Sequence, residues 1–427
     1  MRAGSLLVVA ALSGLGCSAS SPQSASASGG ASSSGTPGAG GPSSSADWNA
    51  CNSVRLTTYA AGDVAWCAFD RRAPMLPDFV RNGLTIAIPE PWNGSSYGGD
   101  PGEACGECWE ITSLSGTRTV MVHDLCPIQG NPLCTGDHFD FDVADETGAA
   151  LGLDGLDEGR ARRVPCPVTG NAFLSLLGRD EWGSVRFQVI NERFPVRSIE
   201  YHAVGSSVYY AAERSAAAWA VSNDHRDMFD KDGAGGSFRL TSARGEVVET
   251  PNVLTYDRQV GDYFDLGGQF TGDLPQTGGA CRFVPPGDVY VDGYGGIPSA
   301  GWVINPWGSA SPSEVTTGCV SGSCLRVAGL SPGMGFHIFY RQPFSPSLFK
   351  TLHFSVRSES GTGTVDASLT SDNSPACQTQ SVPVTETWSE ASLPLASLCA
   401  GVDVIRNVTF NGVTPLTVYF DDIRFEE

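Results

Sequence analysis

Four short stretches of the 427-residue sequence carry side chains that can hold or move protons: Thr57-Thr58-Tyr59, Ala104-Cys105-Gly106-Glu107-Cys108, His123-Asp124-Leu125-Cys126-Pro127 and His138-Phe139-Asp140. Carboxylates next to hydroxyls and imidazoles can grip O–H groups, polarise them, and donate or accept protons. Singly, each stretch is weak. Asp124 alone reads as a turn or capping residue, and His138 alone as a satisfied structural histidine. The Cys105-x2-Cys108 spacing is that of half a zinc site, but no second such pair or histidine cluster completes four ligands. Disulfide chemistry is therefore the reading for these cysteines, and no bound transition metal is expected. Together, the order and spacing of the four stretches are specific.

The elements that must position them are short strands. Leu84-Thr-Ile-Ala-Ile, Cys108-Trp-Glu-Ile-Thr and Thr119-Val-Met-Val-His alternate with Gly, Pro and Asp punctuation, which predicts a compact β domain over 48–167. Residues 168–272 continue as strands (Val185-Arg-Phe-Gln-Val-Ile, Ser198-Ile-Glu-Tyr-His, Ser237-Phe-Arg-Leu-Thr), with the spacing of a small β-sandwich. A Gly/Pro-rich link at 273–286 leads to a third β-rich unit, 287–427. Helical periodicity is confined to Ala144–Leu153 and the alanine-rich Ala211–Val221. Residues 18–47 are almost wholly Ser, Ala, Gly and Pro and can bury no core, so they read as a flexible tether.

Charge and cysteine content narrow the partners and the compartment. Forty-six acidic against 26 basic residues leave a formal charge of −20, and Lys231 and Lys350 are the only lysines. Such a surface repels polyphosphate and offers no polybasic arm for anionic lipid, which excludes nucleic acid and favours a neutral ligand. The N-terminus has a basic start at Arg2, an apolar run from Leu6 to Leu15, and Gly16-Cys17. This is a signal segment over 1–17, too short to span a membrane. Cys17 stands where a bacterial lipoprotein carries its lipid. The expectation is an exported monomer, anchored at the outer membrane or cell surface through that lipid, or else secreted. Of the 13 cysteines, seven lie from Cys51 to Cys166 and four from Cys319 to Cys399. The last four can close on themselves, and Cys281 is the natural eighth partner of the first seven.

The four motifs, in this order, resemble those of the expansins, especially the bacterial type. The resemblance implies a six-stranded double-psi β-barrel followed by an immunoglobulin-like β-sandwich. It runs on through Pro165-Cys-Pro-Val-Thr-Gly-Asn171, which is similar to the inter-domain joint. Phe187-Gln-Val-Ile-Asn-Glu-Arg-Phe-Pro-Val196 is similar to the opening strands of the second domain, and Gly268-Gln-Phe270 to its end. Thr58, Tyr59, Asp124 and Asp140 match positions that line the family's open polysaccharide groove. Trp182 and Trp219 are the nearest matches to the aromatic line of its second domain, with Ala217 where the third aromatic is expected.

Family 45 glycoside hydrolases share that barrel. Hydrolysis needs an acid and a second carboxylate. Asp140 stands at the acid position, but Tyr59 is followed by Ala60-Ala61-Gly62, with Asp63 coming slightly later. The resemblance thus implies binding and non-hydrolytic loosening of cellulose or hemicellulose. A β-1,4-glucanase, a peptidoglycan-cleaving barrel and a non-catalytic polysaccharide-binding adhesin are the rivals.

The third unit ends Val418-Tyr-Phe-Asp-Asp-Ile-Arg-Phe, which is similar to the last strand of jelly-roll carbohydrate-binding modules. Trp302, Trp307 and Trp388 are its candidate stacking residues, and Asp421 and Asp422 are candidate ligands of a structural calcium. No other cofactor is called for.

Overall fold

The computed structural model describes residues 50–89, 102–127, 133–134, 139–215, 217–273, 281, 283–285, 287–290, 302–371 and 376–427. Cys17, the tether and His138 lie outside the described residues. The fold is mainly β, as the strand patterning predicts. No helix among the described residues is long and apolar enough to cross a membrane.

Six strands close into a barrel: β1 (Asn52–Tyr59), β2 (Thr85–Pro89), β3 (Cys108–Ser113), β4 (Gly116–Cys126), β5 (Asp140–Ala144) and β6 (Asp157–Val164). The order around it is β1-β5-β2-β4-β3-β6, with β1–β5 and β2–β4 parallel and the other described pairs antiparallel. Alternation sends Val54, Leu56, Phe141 and Val143 inward, where they meet Trp109 and Ile111 in a dry interior. Trp109, Phe139 and Phe141 make mutual ring contacts at 5.0–5.4 Å. Helix α1 (Asp145–Leu151) follows β5 directly and falls within the predicted 144–153 stretch. It stops at Gly152, whose positive φ of 65° supplies a left-handed cap.

The second unit packs a four-stranded sheet (Tyr210–Ala211, Val196–Ala203, Gly236–Ser242, Val247–Glu249) on a five-stranded one. The latter runs in the order Glu213–Ser215, Ala218–Ala220, Val185–Ile190, Phe173–Arg179, Tyr263–Asp265. Phe187, Tyr201, Phe229 and Phe238 fill the space between the sheets. The alanine-rich 211–221 stretch is three short strands rather than a helix. Ala217 and Ala218 are buried, and Trp219 pairs with Phe187 in the sheet, so tertiary packing overrides alanine's helical propensity. The outer face of the five-stranded sheet meets the barrel: Ile190 and Ala217 join the barrel's core, and Gln188 Nε2 donates to Cys67 O at 2.9 Å.

The third unit is also two packed sheets. One contains Ser311–Val315, Cys324–Leu330, Leu416–Glu426, Thr351–Ser358 and Ser389–Pro394, with Asp288–Tyr290 added against the long strand. The other runs Trp302–Trp307, Gly335–Phe344, Ile405–Gly412, Gly363–Thr370, Gln380–Val384. Trp302, Phe336, Phe354, Phe410 and Phe420 lie between them, each under 1 % exposed.

Six disulfides join Cys51–Cys281, Cys67–Cys105, Cys108–Cys166, Cys126–Cys134, Cys319–Cys324 and Cys377–Cys399. Cys281 is thus the eighth partner of the N-terminal set, and the last four cysteines pair among themselves.

Candidate functional site

On the outer face of the barrel, strand alternation lines up Arg55, Thr57 and Tyr59 along β1. The parallel register sets Arg55 against Asp140 and Thr57 against Asp142 on β5. Thr57 Oγ1 donates to Asp142 Oδ1 at 2.8 Å. Burial pushes the Asp142 carboxyl up, and the neighbouring Asp124 and Asp145 carboxylates push it further, against the opposing Thr57 hydrogen bond. Asp142 therefore holds its proton at a higher pH than an ordinary aspartate. Tyr59 packs on the small cluster formed by Ala87 and the Cys126–Cys134 disulfide. Its hydroxyl is buried, and burial together with the charges of Asp124 and Asp142 pushes its pKa far above that of a free phenol. Asp124, half-buried on β4, accepts Trp66 N–H at 3.1 Å and Leu125 N–H at 2.8 Å through Oδ1. The result is a protonatable carboxyl, a second carboxylate, a hydroxyl and a phenol on one side of the barrel. Such a set can donate to and accept from sugar hydroxyls.

Two sequence assignments change. Asp140 is 3 % exposed and engaged with Arg55, Nε to Oδ1 at 2.6 Å and Nη2 to Oδ2 at 2.9 Å. The carboxyl beside Thr57 and Tyr59 is Asp142, two residues on along the same strand face. Thr58 faces the other way: it is exposed, and a Cβ at Gly148 of α1 would come within 2.6 Å of its Cγ2. Thr57 takes its place. Asp63, the late candidate for a base, is paired with Arg72 at 3.0 Å and Arg71 at 3.7 Å, and Arg71 also meets Glu146 at 3.1 Å. His123 is fully buried against Phe69, with Nε2 3.1 Å from Phe69 O.

The aromatic candidates divide. Trp182 is 64 % exposed on a turn fixed by its own N–H donating to Asp180 Oδ1 at 2.9 Å. Trp219 is buried, with the Arg214 guanidinium 4.1 Å from its ring centre, so it offers no face to a ligand. Trp302 is wholly inside the third unit's core and cannot stack on sugar. Trp307, five positions on and therefore on the opposite sheet face, is half-buried beside His337 at 5.6 Å. Trp388 donates Nε1–H to Gly318 O at 3.0 Å, with Arg357 5.4 Å from its ring. Asp421 is buried and accepts the N–H groups of Val320 (2.9 Å), Ser321 (3.3 Å) and Asp422 (2.9 Å). Its oxygens thereby hold the Cys319–Cys324 loop, which does not fit a calcium ligand set. Among the described residues, the two acid–cysteine groupings close enough to chelate both have their sulfurs in disulfides.

Residues 54–168 match the family model described as EXPB1-like domain 1. The chain is 25 % identical over 414 residues to Expansin-like protein 2 of Dictyostelium discoideum, covering 89 % of this chain and 93 % of that one. To Expansin-like protein 6 of the same organism it is 28 % identical over 228 residues, covering 51 % and 70 %. Among solved structures, the apo expansin of Clavibacter michiganensis aligns with a TM-score of 0.41 at 18 % identity, over 52 % of this chain and all of that one.

Proposed function

The chain is an expansin-like protein, and on that premise we propose that its barrel groove grips neutral cell-wall polysaccharide and loosens it without cutting it. The observation that carries the reading is the carboxyl inventory of the outer face. Asp142 is a buried carboxyl whose proton affinity is raised by that burial, beside Thr57, Tyr59 and Asp124. Asp140 and Asp63 are neutralised by arginines. Hydrolysis requires a second carboxylate free to activate water or attack carbon, whereas the remaining one, Asp124, is tied through Oδ1 to the Trp66 and Leu125 N–H groups. An acid without one can still exchange hydrogen bonds with glucan hydroxyls and so displace contacts between chains. The acidic surface suits a neutral polymer, and the N-terminal segment with Cys17 suits export and anchoring at the cell surface.

The test is to incubate the purified protein with cellulose paper and with xylan, recording paper strength and reducing sugar together. Weakened paper without released sugar is the expected result, and Asp142→Asn should abolish the weakening. Soluble oligosaccharide that disappears in Asp142→Asn would move the protein to the glucanase class. Weakening that survives Asp142→Asn in a folded protein would remove the groove mechanism, and binding without any weakening would leave an adhesin.

A further inference from the structure

The strand order of the barrel puts an alanine between two of the groove's aspartates. Thr57 on β1 pairs with Asp142 on β5, Asp142 pairs with Ala87 on β2, and Ala87 pairs with Asp124 on β4. Residues directly opposite one another on neighbouring strands share a sheet face. The row Thr57–Asp142–Ala87–Asp124 therefore crosses the four strands β1, β5, β2 and β4 on the outside of the barrel. A methyl group stands where the other positions carry longer polar side chains, and this leaves a hollow between the two carboxyl groups.

Ala87 is nevertheless only 2 % exposed, because the Cys126–Cys134 disulfide packs on it. Both half-cystines are buried, and Tyr59 packs against the same cluster. Cys126 Sγ lies 3.8 Å from Asp142 Oδ2. The bridge thus fills the hollow. It turns polarisable, apolar sulfur toward one oxygen of the Asp142 carboxyl, while Thr57 Oγ1 donates to the other. The far end of the bridge is fixed from β1, where Arg55 Nη2 donates to Leu133 O at 2.6 Å, one residue before Cys134.

Stability alone does not account for this bridge. By the chain-entropy account a disulfide stabilises more as the loop it closes lengthens. Cys126 and Cys134 are 8 residues apart, against 38 and 58 for the other two bridges internal to the barrel. The short bridge contributes least to holding the barrel together. Its effect is local, and the groups local to it are Asp142 and Tyr59.

We propose that the Cys126–Cys134 disulfide is a positioning element of the groove, an apolar floor that holds the Asp142 carboxyl and the Tyr59 ring in place. This rests on the groove reading above and adds to it the element that sets the acid. Burial is the leading reason the Asp142 carboxyl is pushed up, and the sulfur beside it is part of what buries it. The other groups facing Asp142 are Thr57 and Tyr59 from β1, Asp124 from β4 and Asp145 at the start of α1. Asp140, on the same strand, is engaged with Arg55. All of these stay when the bridge is replaced. A carboxyl raised by burial loses that push when its apolar cover becomes polar.

Cys126→Ser combined with Cys134→Ser keeps the floor's volume and makes it polar. The Asp142 carboxyl resonance is followed against pH by NMR in protein carrying isotopically labelled aspartate, assigned through Asp142→Asn, and paper weakening is recorded over the same range. Asp142 should titrate at least about half a pH unit lower in the serine pair than in the parent. The protonated acid is the working form, so weakening falls as pH rises through the Asp142 pKa, and that limb should move down with it. Cys126→Val combined with Cys134→Val restores an apolar floor without the bond and should return both readings toward the parent. If the serine pair fails to fold, the alanine pair gives the same test. A folded pair that titrates Asp142 and weakens paper as the parent does would overturn the floor. So would a valine pair that behaves like the serine pair, since the covalent bond and not the apolar cover would then be at work. A parent that never weakens paper refutes the groove reading, and the titration still decides the floor: an unshifted Asp142 overturns it and a shifted one upholds it.

Discussion

Glu192 gives the most quantitative expectation. It is 2 % exposed and lies at the seam between sandwich and barrel. A Cβ at Gly106 would stand 1.9 Å from its Oε1, and its Oε2 has no hydrogen-bond partner. Burial pushes its carboxyl up to about 8 from an ordinary 4.5. A group whose folded pKa is raised contributes stability that is full below the unfolded pKa and is lost as pH rises through the folded one. The window is therefore pH 4.5 to 8. At about 1.4 kcal/mol per pKa unit, the loss across it is on the order of 5 kcal/mol. Glu192→Gln keeps the shape and removes the titration. Urea or thermal unfolding of both proteins at half-unit steps from pH 4.5 to 9 isolates the effect. Glu107, Asp142, Asp157 and Glu158 are also pushed up, but they are common to both proteins and cancel in the difference. The variant should gain on the parent steadily across the window and level off above pH 8. Parallel stability curves would refute the burial argument.

Other perturbations separate structure from function. Asp140→Asn leaves Arg55 facing a neutral amide in a mostly buried pair, so stability should fall by about 3–5 kcal/mol in denaturant titration, with paper weakening per folded molecule preserved. Trp302→Ala should destabilise the third unit by about 3–5 kcal/mol, read as a lower melting transition, through the cavity it opens. Trp182→Ala should leave every melting transition within about 0.5 kcal/mol, because the side chain is mostly exposed and belongs to no core cluster. Replacing Cys51 and Cys281 by serine opens a loop of 230 residues and should cost about 5 kcal/mol in unfolding experiments by the chain-entropy account.

Much of the architecture was legible because β-strands advertise themselves by alternation and cysteines by number. Val185–Ile190 and the strand Leu416–Glu426 stand where their apolar residues place them. Odd-and-even counting alone assigned Cys281 to the N-terminal set. The site was harder to read, because neighbours distant in sequence decide it. Asp140 and Asp142 share a strand face, and alternation cannot choose between them; the choice is made by Arg55, 85 residues earlier, which claims Asp140. Thr57 and Thr58 are chemically identical, and only the β1–β5 register says which one meets a carboxylate. Trp302 and Trp307 sit an odd number of residues apart on one strand, so one had to be core and the other surface. Which was which depended on the sheet packed beneath. The alanines of 211–221 misled for the same reason, since Ala217 packs into the barrel's core and Ala212 into the sandwich's.

The Cys51–Cys281 bridge also fixes how the molecule carries tension. A pull applied upstream of residue 51 and resisted downstream of residue 281 runs through that covalent bond and not through the intervening chain. Under such a pull the barrel and sandwich sit in a slack loop parallel to the load. The groove would then keep its geometry while the chain at either side of it is stretched. Reducing the bridge would put every strand from Asn52 to Asp265 in series with the force.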